Sequence, residues 1–187
     1  MQLLIEKLSI IGKVSPVQQS ALMAAITRKE FAPKTILQKT DQVANKIYFV
    51  EKGIARTFYY KNGKDITYWI APEGEFVGSM ASFFMRTSSN KLVETIEHCT
   101  LWEFEYQKLE SLFSSSQELE KVGRRFANYA IALMEERFDN LHFNTAKERY
   151  QLLMKNQSEL INRIPLGMIA SYLGITQETL SRIRSQV

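Results

Sequence analysis

The segment from Ile164 to Arg184 constrains the fold most, because two amphipathic helical patterns meet there across a single glycine. Ile169, Ala170 and Leu173 form an apolar stripe at helical spacing before Gly174, and Leu180 and Ile183 continue an inward face after it. Gly174 supplies the backbone freedom of a tight interhelical turn, and Ile175 plugs the angle between the helices. Thr176 is the expected N-cap of the second helix. A chain with this pattern has to close as a helical hairpin that is apolar on one side and polar on the other.

The polar side carries more information. Gln177, Glu178, Ser181 and Arg182 are three and four residues apart, so they project from one face of the second helix. These side-chain types read base edges in the major groove of double-stranded DNA. Arg182 can donate two hydrogen bonds to guanine, and Glu178 can accept from cytosine while orienting Arg182 one turn away. Ser181 and Gln177 suit the groove edge. Thr176 and Thr179 are better placed for phosphates and capping. Arg184 and Arg163 are candidate phosphate contacts, with simple solvation as the competing reading. A hairpin whose charged face only meets water is the plain alternative, but turn, cap and reading residues coincide within one short segment.

Charge supports the same end of the chain. Residues 1–120 contain 14 Lys/Arg and 14 Asp/Glu, whereas residues 121–187 contain 10 against 6, so the net charge of +4 resides in the C-terminal third. That excess suits phosphate contacts. Several other chemistries find no footing. Cys99 is the single cysteine, so an intrachain disulfide or a cluster-binding thiolate set is not expected, and no metal site or cofactor is expected either. His98-Cys99 contains two residue types that ligate haem iron, yet such a pair between two strands reads more simply as packing. No phosphate loop, metal-ligand cluster or nucleophile with a nearby histidine and acid is present, so the chain is not expected to be an enzyme. No apolar run reaches the length of a membrane span and the start lacks signal-peptide architecture, so a cytoplasmic protein without membrane association is expected.

Upstream, the texture changes twice. Residues 3–28 read as helical, with Ser15-Pro16 as an N-cap and first-turn pair. From about residue 30 the runs Lys46–Gly53, Ile54–Tyr60, Ile66–Ile70, Leu92–Ile96 and Thr100–Phe104 are rich in β-branched and aromatic residues. Asn62-Gly63 between two of them is a hairpin turn signal. These strands predict an antiparallel barrel or sandwich. Beyond Glu118 lies a long stretch free of proline in which Leu119, Val122, Phe126, Tyr129 and Leu133 repeat at spacings of three and four. That stripe is a candidate dimerisation seam, with packing on the barrel as the alternative. Thr145-Ala-Lys-Glu148 matches a capping box for a further helix.

The order helix, β-barrel, long helix, capped helix, helical hairpin resembles the Crp/Fnr family of bacterial transcription regulators. The likeness is carried by Tyr48–Arg56, Gly74-Glu-Phe-Val-Gly78, Ala146-Lys-Glu-Arg149 with Leu152-Leu153, and above all by Leu173–Ile183. It implies an α+β fold. An N-terminal antiparallel β-barrel of jelly-roll type with flanking helices would occupy residues 1–116 as a cyclic-nucleotide-binding-like effector domain. A linker and dimerisation helix would occupy 117–141, and a helix-turn-helix DNA-binding domain 142–187. The resemblance further implies a homodimer on a palindromic operator with a TTGA-like or TGTGA-like core, RNA polymerase as a partner, and an unidentified small-molecule effector in the barrel. The implied effector pocket comprises Gly74, Glu75, Phe76, Gly78, Ser79, Met80, Ser89 and Asn90, and here the chain departs from the family pattern. Where cyclic-nucleotide-binding members place a glutamate for the ribose, this chain has Ser79. Where they place an Arg-Ser phosphate clamp, it has Ser89-Asn90, with Arg86 and Lys91 out of register. Control by cAMP is therefore not expected. The competing functional reading is a ligand-sensing module that acts through protein partners with little specific DNA binding.

Overall fold

The computed structural model describes residues 1–186. Two helices, α1 (Gln2–Ile11) and α2 (Pro16–Ala25), precede strands β1 (Thr27–Phe31), β2 (Ile36–Gln38), β3 (Gln42–Val43), β4 (Lys46–Lys52), β5 (Ala55–Lys61), β6 (Lys64–Ala71) and β7 (Phe76–Val77). A short helix α3 (Met80–Met85) leads to β8 (Ser88–Ser89), β9 (Leu92–Thr95) and β10 (Cys99–Glu105). The remainder is helical: α4 (Tyr106–Ser115), α5 (Gln117–Phe143), α6 (Ala146–Gln157), α7 (Leu160–Arg163), α8 (Leu166–Tyr172) and α9 (Gln177–Arg184).

The strands form two four-stranded sheets in the orders β1-β10-β4-β7 and β2-β9-β5-β6, with a small β3-β8 pair beside them. That order is a jelly roll, in which β10 pairs antiparallel with β1 and β4, β4 with β7, β2 with β9 and β3 with β8. The β5–β6 turn falls where Asn62-Gly63 predicts it, with positive φ at both residues as a two-residue hairpin turn demands. Helical residues were expected to continue to 28, but α2 stops at Ala25. Thr27 and Arg28 pair instead with Glu103 and Trp102 of β10, because a sheet edge satisfies their main-chain groups.

The chain divides into two compact units. One comprises Met1–Thr57 with Ile70–Ala130; the other comprises Phe58–Trp69 and the residues from Ile131 onward. The first is built around an aromatic core in which Phe76 meets Phe49, Phe104 and Phe126 with ring centroids 5.1, 5.5 and 4.7 Å apart. Such edge-on pairs add to the stabilisation from burying large apolar area. Ser15 caps α2 by accepting from the Gln18 amide, and its hydroxyl donates to Glu118 Oε2 at 2.8 Å. The N-terminal helices are thereby tied to the start of α5.

The second unit is organised by caps and backbone-directed bonds. Thr145 Oγ1 accepts from the Glu148 amide at 3.3 Å while the Glu148 carboxylate accepts from the Thr145 amide at 2.7 Å, the reciprocal capping box the sequence predicts. The bonds that the Glu148 carboxylate accepts from the Thr145 amide and hydroxyl hold it below the usual carboxylate range. The tip of the β5–β6 hairpin belongs to this unit. The Thr67 amide donates to Ser171 Oγ at 2.9 Å, and Arg137 donates to the carbonyls of Tyr68 at 3.0 Å and Tyr172 at 2.8 Å. No helix among the described residues is long and apolar enough to cross a membrane.

Candidate ligand pocket and nucleic-acid interface

The Gly74–Gly78 segment, the expected wall of an effector pocket, lies along β4. Gly74 N donates to Val50 O and Val50 N to Glu75 O, each at 2.9 Å, which seats the segment against β4. Gly78 lies so close to Ile47 that a Cβ there would stand 2.9 Å from Ile47 Cγ2. Glu75 and Phe76 do not point at a ligand. Glu75 accepts from Lys7 at 2.9 Å, and Phe76 is part of the aromatic core. Met80 is half-buried and packs on that core, while Asn90 is exposed.

The decisive pair is Ser79 and Ser89. Both are buried, and their hydroxyls share a hydrogen bond of 2.8 Å. Ser89 Oγ also accepts from the Lys91 amide at 3.0 Å. The two positions that would hold a ribose and a cyclic phosphate therefore hold each other, and neither bears charge. Arg86 is committed elsewhere. It occupies a left-handed conformation, donates to Ala44 O at 2.7 Å and Asn45 Oδ1 at 2.6 Å, and lies 3.9 Å above the Tyr106 ring. One further polar group stands out: Gln38, buried on β2, has no hydrogen-bond partner at either amide atom.

His98 and Cys99 face opposite ways. His98 is exposed, whereas Cys99 is fully buried and its thiol donates to Ile54 O at 3.2 Å. Burial pushes the thiol up to about 11, so little thiolate exists at neutral pH. Neither geometry suits shared ligation of one metal.

The long helix is placed by the same residues that the pattern offered as a seam. Leu119 and Val122 are buried within the first unit, and Phe126 packs against Phe76. Tyr129 Oη accepts from Lys7 Nζ at 2.8 Å, and Leu133 is half-buried in the second unit. Burial opposes the charge on Lys7, but its bonds to Tyr129 and Glu75 outweigh that and hold the ammonium above its ordinary range. The Gly74–Gly78 segment and the long helix thus meet twice, through Phe76–Phe126 and through Glu75–Lys7–Tyr129. The exposed apolar residues of α5 are different ones: Ile131 and Phe138, one heptad apart, with Leu141 and Phe143 at its C-terminal end. Sequence pattern alone does not separate these faces, because both stripes have helical spacing.

At the C-terminal end, Gly174 has φ of +68° and Ile175 N donates to Ala170 O at 3.0 Å, closing the turn between α8 and α9. Thr176 Oγ1 accepts from the Thr179 amide at 3.2 Å. Ile169, Ala170, Leu173, Leu180 and Ile183 are buried, which leaves Thr176, Gln177, Glu178, Ser181, Arg182 and Arg184 exposed and Thr179 half-buried. The Glu178 carboxyl is held below its ordinary range by its own amide, then by the Thr176 side chain and by the charge of Arg182. A single helix therefore presents an ionised carboxylate and a guanidinium side by side, both open to a partner.

Residues 28–116 match the cyclic nucleotide-binding domain family. Solved structures with this fold include CLP, the c-di-GMP responsive global regulator of Xanthomonas campestris, at 18% identity and a TM-score of 0.67, covering 92% of this chain and 91% of that one. FixK2 from Bradyrhizobium japonicum is similar at 21% identity and a TM-score of 0.72, over 86% of this chain and 83% of its own. The catabolite activator protein of Thermus thermophilus is similar at 16% identity and a TM-score of 0.58, over 92% and 83%. These neighbours are regulators of the Crp/Fnr type rather than enzymes. No curated protein matches the chain by sequence.

Proposed function

We propose that the chain is a sequence-specific DNA-binding regulator of the Crp/Fnr type that binds a palindromic operator as a homodimer and is not commanded by cAMP. The reading rests on one observation above the others: α9 is capped, packed on one side, and exposes Gln177, Glu178, Ser181 and Arg182 together on the other. α8 and α9 then act as a helix-turn-helix, with α9 entering the major groove. Thr176 and Thr179 serve the phosphate edge, and Arg184 adds a sequence-independent contact. Two copies joined along α5 would present two such helices, and RNA polymerase is the expected downstream partner.

The barrel then acts as scaffold or as receptor for an effector other than a cyclic nucleotide. A buried phosphate requires countercharge, and a neutral pair of serines bonded to each other supplies none. The dimer face proposed for α5 is the exposed one, carrying Ile131 and Phe138. Leu119, Val122, Phe126 and Tyr129 support it from behind by anchoring the helix.

Selection of random duplex DNA by the purified protein, followed by sequencing of the bound pool, tests the reading. The expected result is a palindrome with half-sites about one helical turn apart. Arg182→Ala should weaken binding to that site by about 1–3 kcal/mol and relax discrimination at one position. Binding that shows no sequence preference, or an Arg182→Ala protein that binds the selected site as well as the parent, would refute it.

A further inference from the structure

Two arginines in the second unit lack what a charged group near a protein interior ordinarily has. Arg137 and Arg149 line one cleft of about 250 Å³ bounded by Trp69 of β6, Leu133 of α5 and Asn156 of α6. Arg137 donates only to the carbonyls of Tyr68 and Tyr172 and lies 3.9 Å over the Tyr172 ring. Arg149 donates from Nη1 to Asn144 O at 2.8 Å and Leu141 O at 3.1 Å, but its Nε is buried and has no partner. Among the described residues, neither guanidinium forms an ion pair with a carboxylate. Glu136 also lines the cleft, but it is exposed and bonded to neither. Burial lowers the pKa of Arg137 from the ordinary arginine range, and the neighbouring charge of Arg149 acts in the same direction.

Unpaired charge at a partly buried site is unfavourable unless something compensates it. Neutral carbonyls satisfy some donors but leave the net charge of both guanidinium groups in place. An anion would satisfy both. The cleft exceeds what one inorganic oxyanion needs, and much of its wall is apolar, so the complementary molecule has a charged head and an apolar body.

We infer that this cleft is a ligand site for a small organic anion, its acidic head held by Arg149 Nε and Arg137 and its body against Trp69, Leu133 and the leucines of α6. It lies within the unit that carries α9. Its occupancy would bear on the bonds by which Arg137 joins the hairpin tip to α8.

The test uses the full chain with Trp102→Phe, leaving Trp69 as the sole tryptophan. Anilinonaphthalene sulfonate is the anionic probe, and phenylnaphthylamine, the same ring system without the sulfonate, is the neutral control. Energy transfer from Trp69 to the anionic dye is expected, with affinity at least about tenfold above that for the neutral one, as a charge-assisted contact provides. Arg137→Met should remove that difference. Asn156→Glu supplies a carboxylate internally and should abolish dye binding while raising the melting temperature, and it decides the matter if Arg137→Met fails to fold. Equal affinity for the two dyes, absence of transfer from Trp69, or unchanged dye binding in Asn156→Glu would overturn the inference.

Discussion

Replacing Gly53 with alanine should destabilise the barrel more than most single-methyl additions. Gly53 links β4 to β5 with φ of +93°, and its amide donates to Glu73 Oε1 at 2.8 Å. A Cβ at this position would stand 2.5 Å from His98 O, 2.7 Å from Cys99 Sγ and 3.0 Å from Cys99 Cα. Two costs therefore add. The left-handed backbone costs an L-residue about 1–2 kcal/mol, and overpacking against a wall that includes main-chain atoms costs about 1–3 kcal/mol. The sum, about 2–5 kcal/mol, is a large share of the roughly 5–15 kcal/mol that holds a domain together. Urea unfolding followed by Trp102 emission reads it directly, since Trp102 is 5% exposed in the same core and Trp69→Phe removes the other tryptophan. The midpoint should fall with the slope unchanged. A loss below about 1 kcal/mol would mean that the His98–Cys99 backbone yields easily, and the argument from close approach would fail.

Three further outcomes are expected. Thr145→Ala removes one half of the capping box and should cost about 0.5–2 kcal/mol, detectable as faster hydrogen exchange at the start of α6. The Cys99 thiol is raised in the folded state, so its contribution to stability is complete below its unfolded pKa and is lost as pH climbs toward about 11. Across that window the parent should lose up to about 1.4 kcal/mol per pH unit more than Cys99→Ala does, as measured by denaturation of both at stepped pH. For the homodimer proposed above, Ile131→Glu should yield monomer by light scattering without unfolding the chain, because Ile131 is 66% exposed; a variant as dimeric as the parent would exclude this face as the interface.

The sequence is readable wherever local chemistry and tertiary packing agree. The runs that became β4, β5, β6, β9 and β10 carry β-branched and aromatic residues, and Asn62-Gly63 marks its turn because the left-handed conformation it needs is written in residue type. Caps at Ser15, Thr145 and Thr176 are legible for the same reason. β1 is not, since Thr27-Arg-Lys-Glu-Phe31 has no apolar alternation and becomes a strand only because β10 offers it a partner. β7 and β8, at two residues each, are too short to leave a pattern. The site divides similarly. The face of α9 can be drawn from spacing and a cap, and the absence of charge at Ser79 and Ser89 is visible in the letters. That these two serines bond each other, that Arg86 is occupied by Asn45 and Tyr106, and that Arg137 and Arg149 share a cleft all depend on contacts distant along the chain. The seam of α5 illustrates the limit, because a helix with two apolar faces has two stripes of equal periodicity and only the barrel decides which one it covers.

The bonds at the hairpin tip reach mostly for the main chain of their partner. Arg137 takes the carbonyls of Tyr68 and Tyr172, and Ser171 takes the Thr67 amide while donating to Asp65 O at 3.4 Å. Every residue type provides those carbonyls, and every type except proline provides that amide, so these joints place little demand on which side chains the tip carries. The bonds themselves therefore survive a side-chain change at the tip that leaves its backbone in place, whereas replacing Arg137 or Ser171 removes them. Ser171→Ala should speed hydrogen exchange at the Thr67 amide while leaving the tip's own sequence untouched.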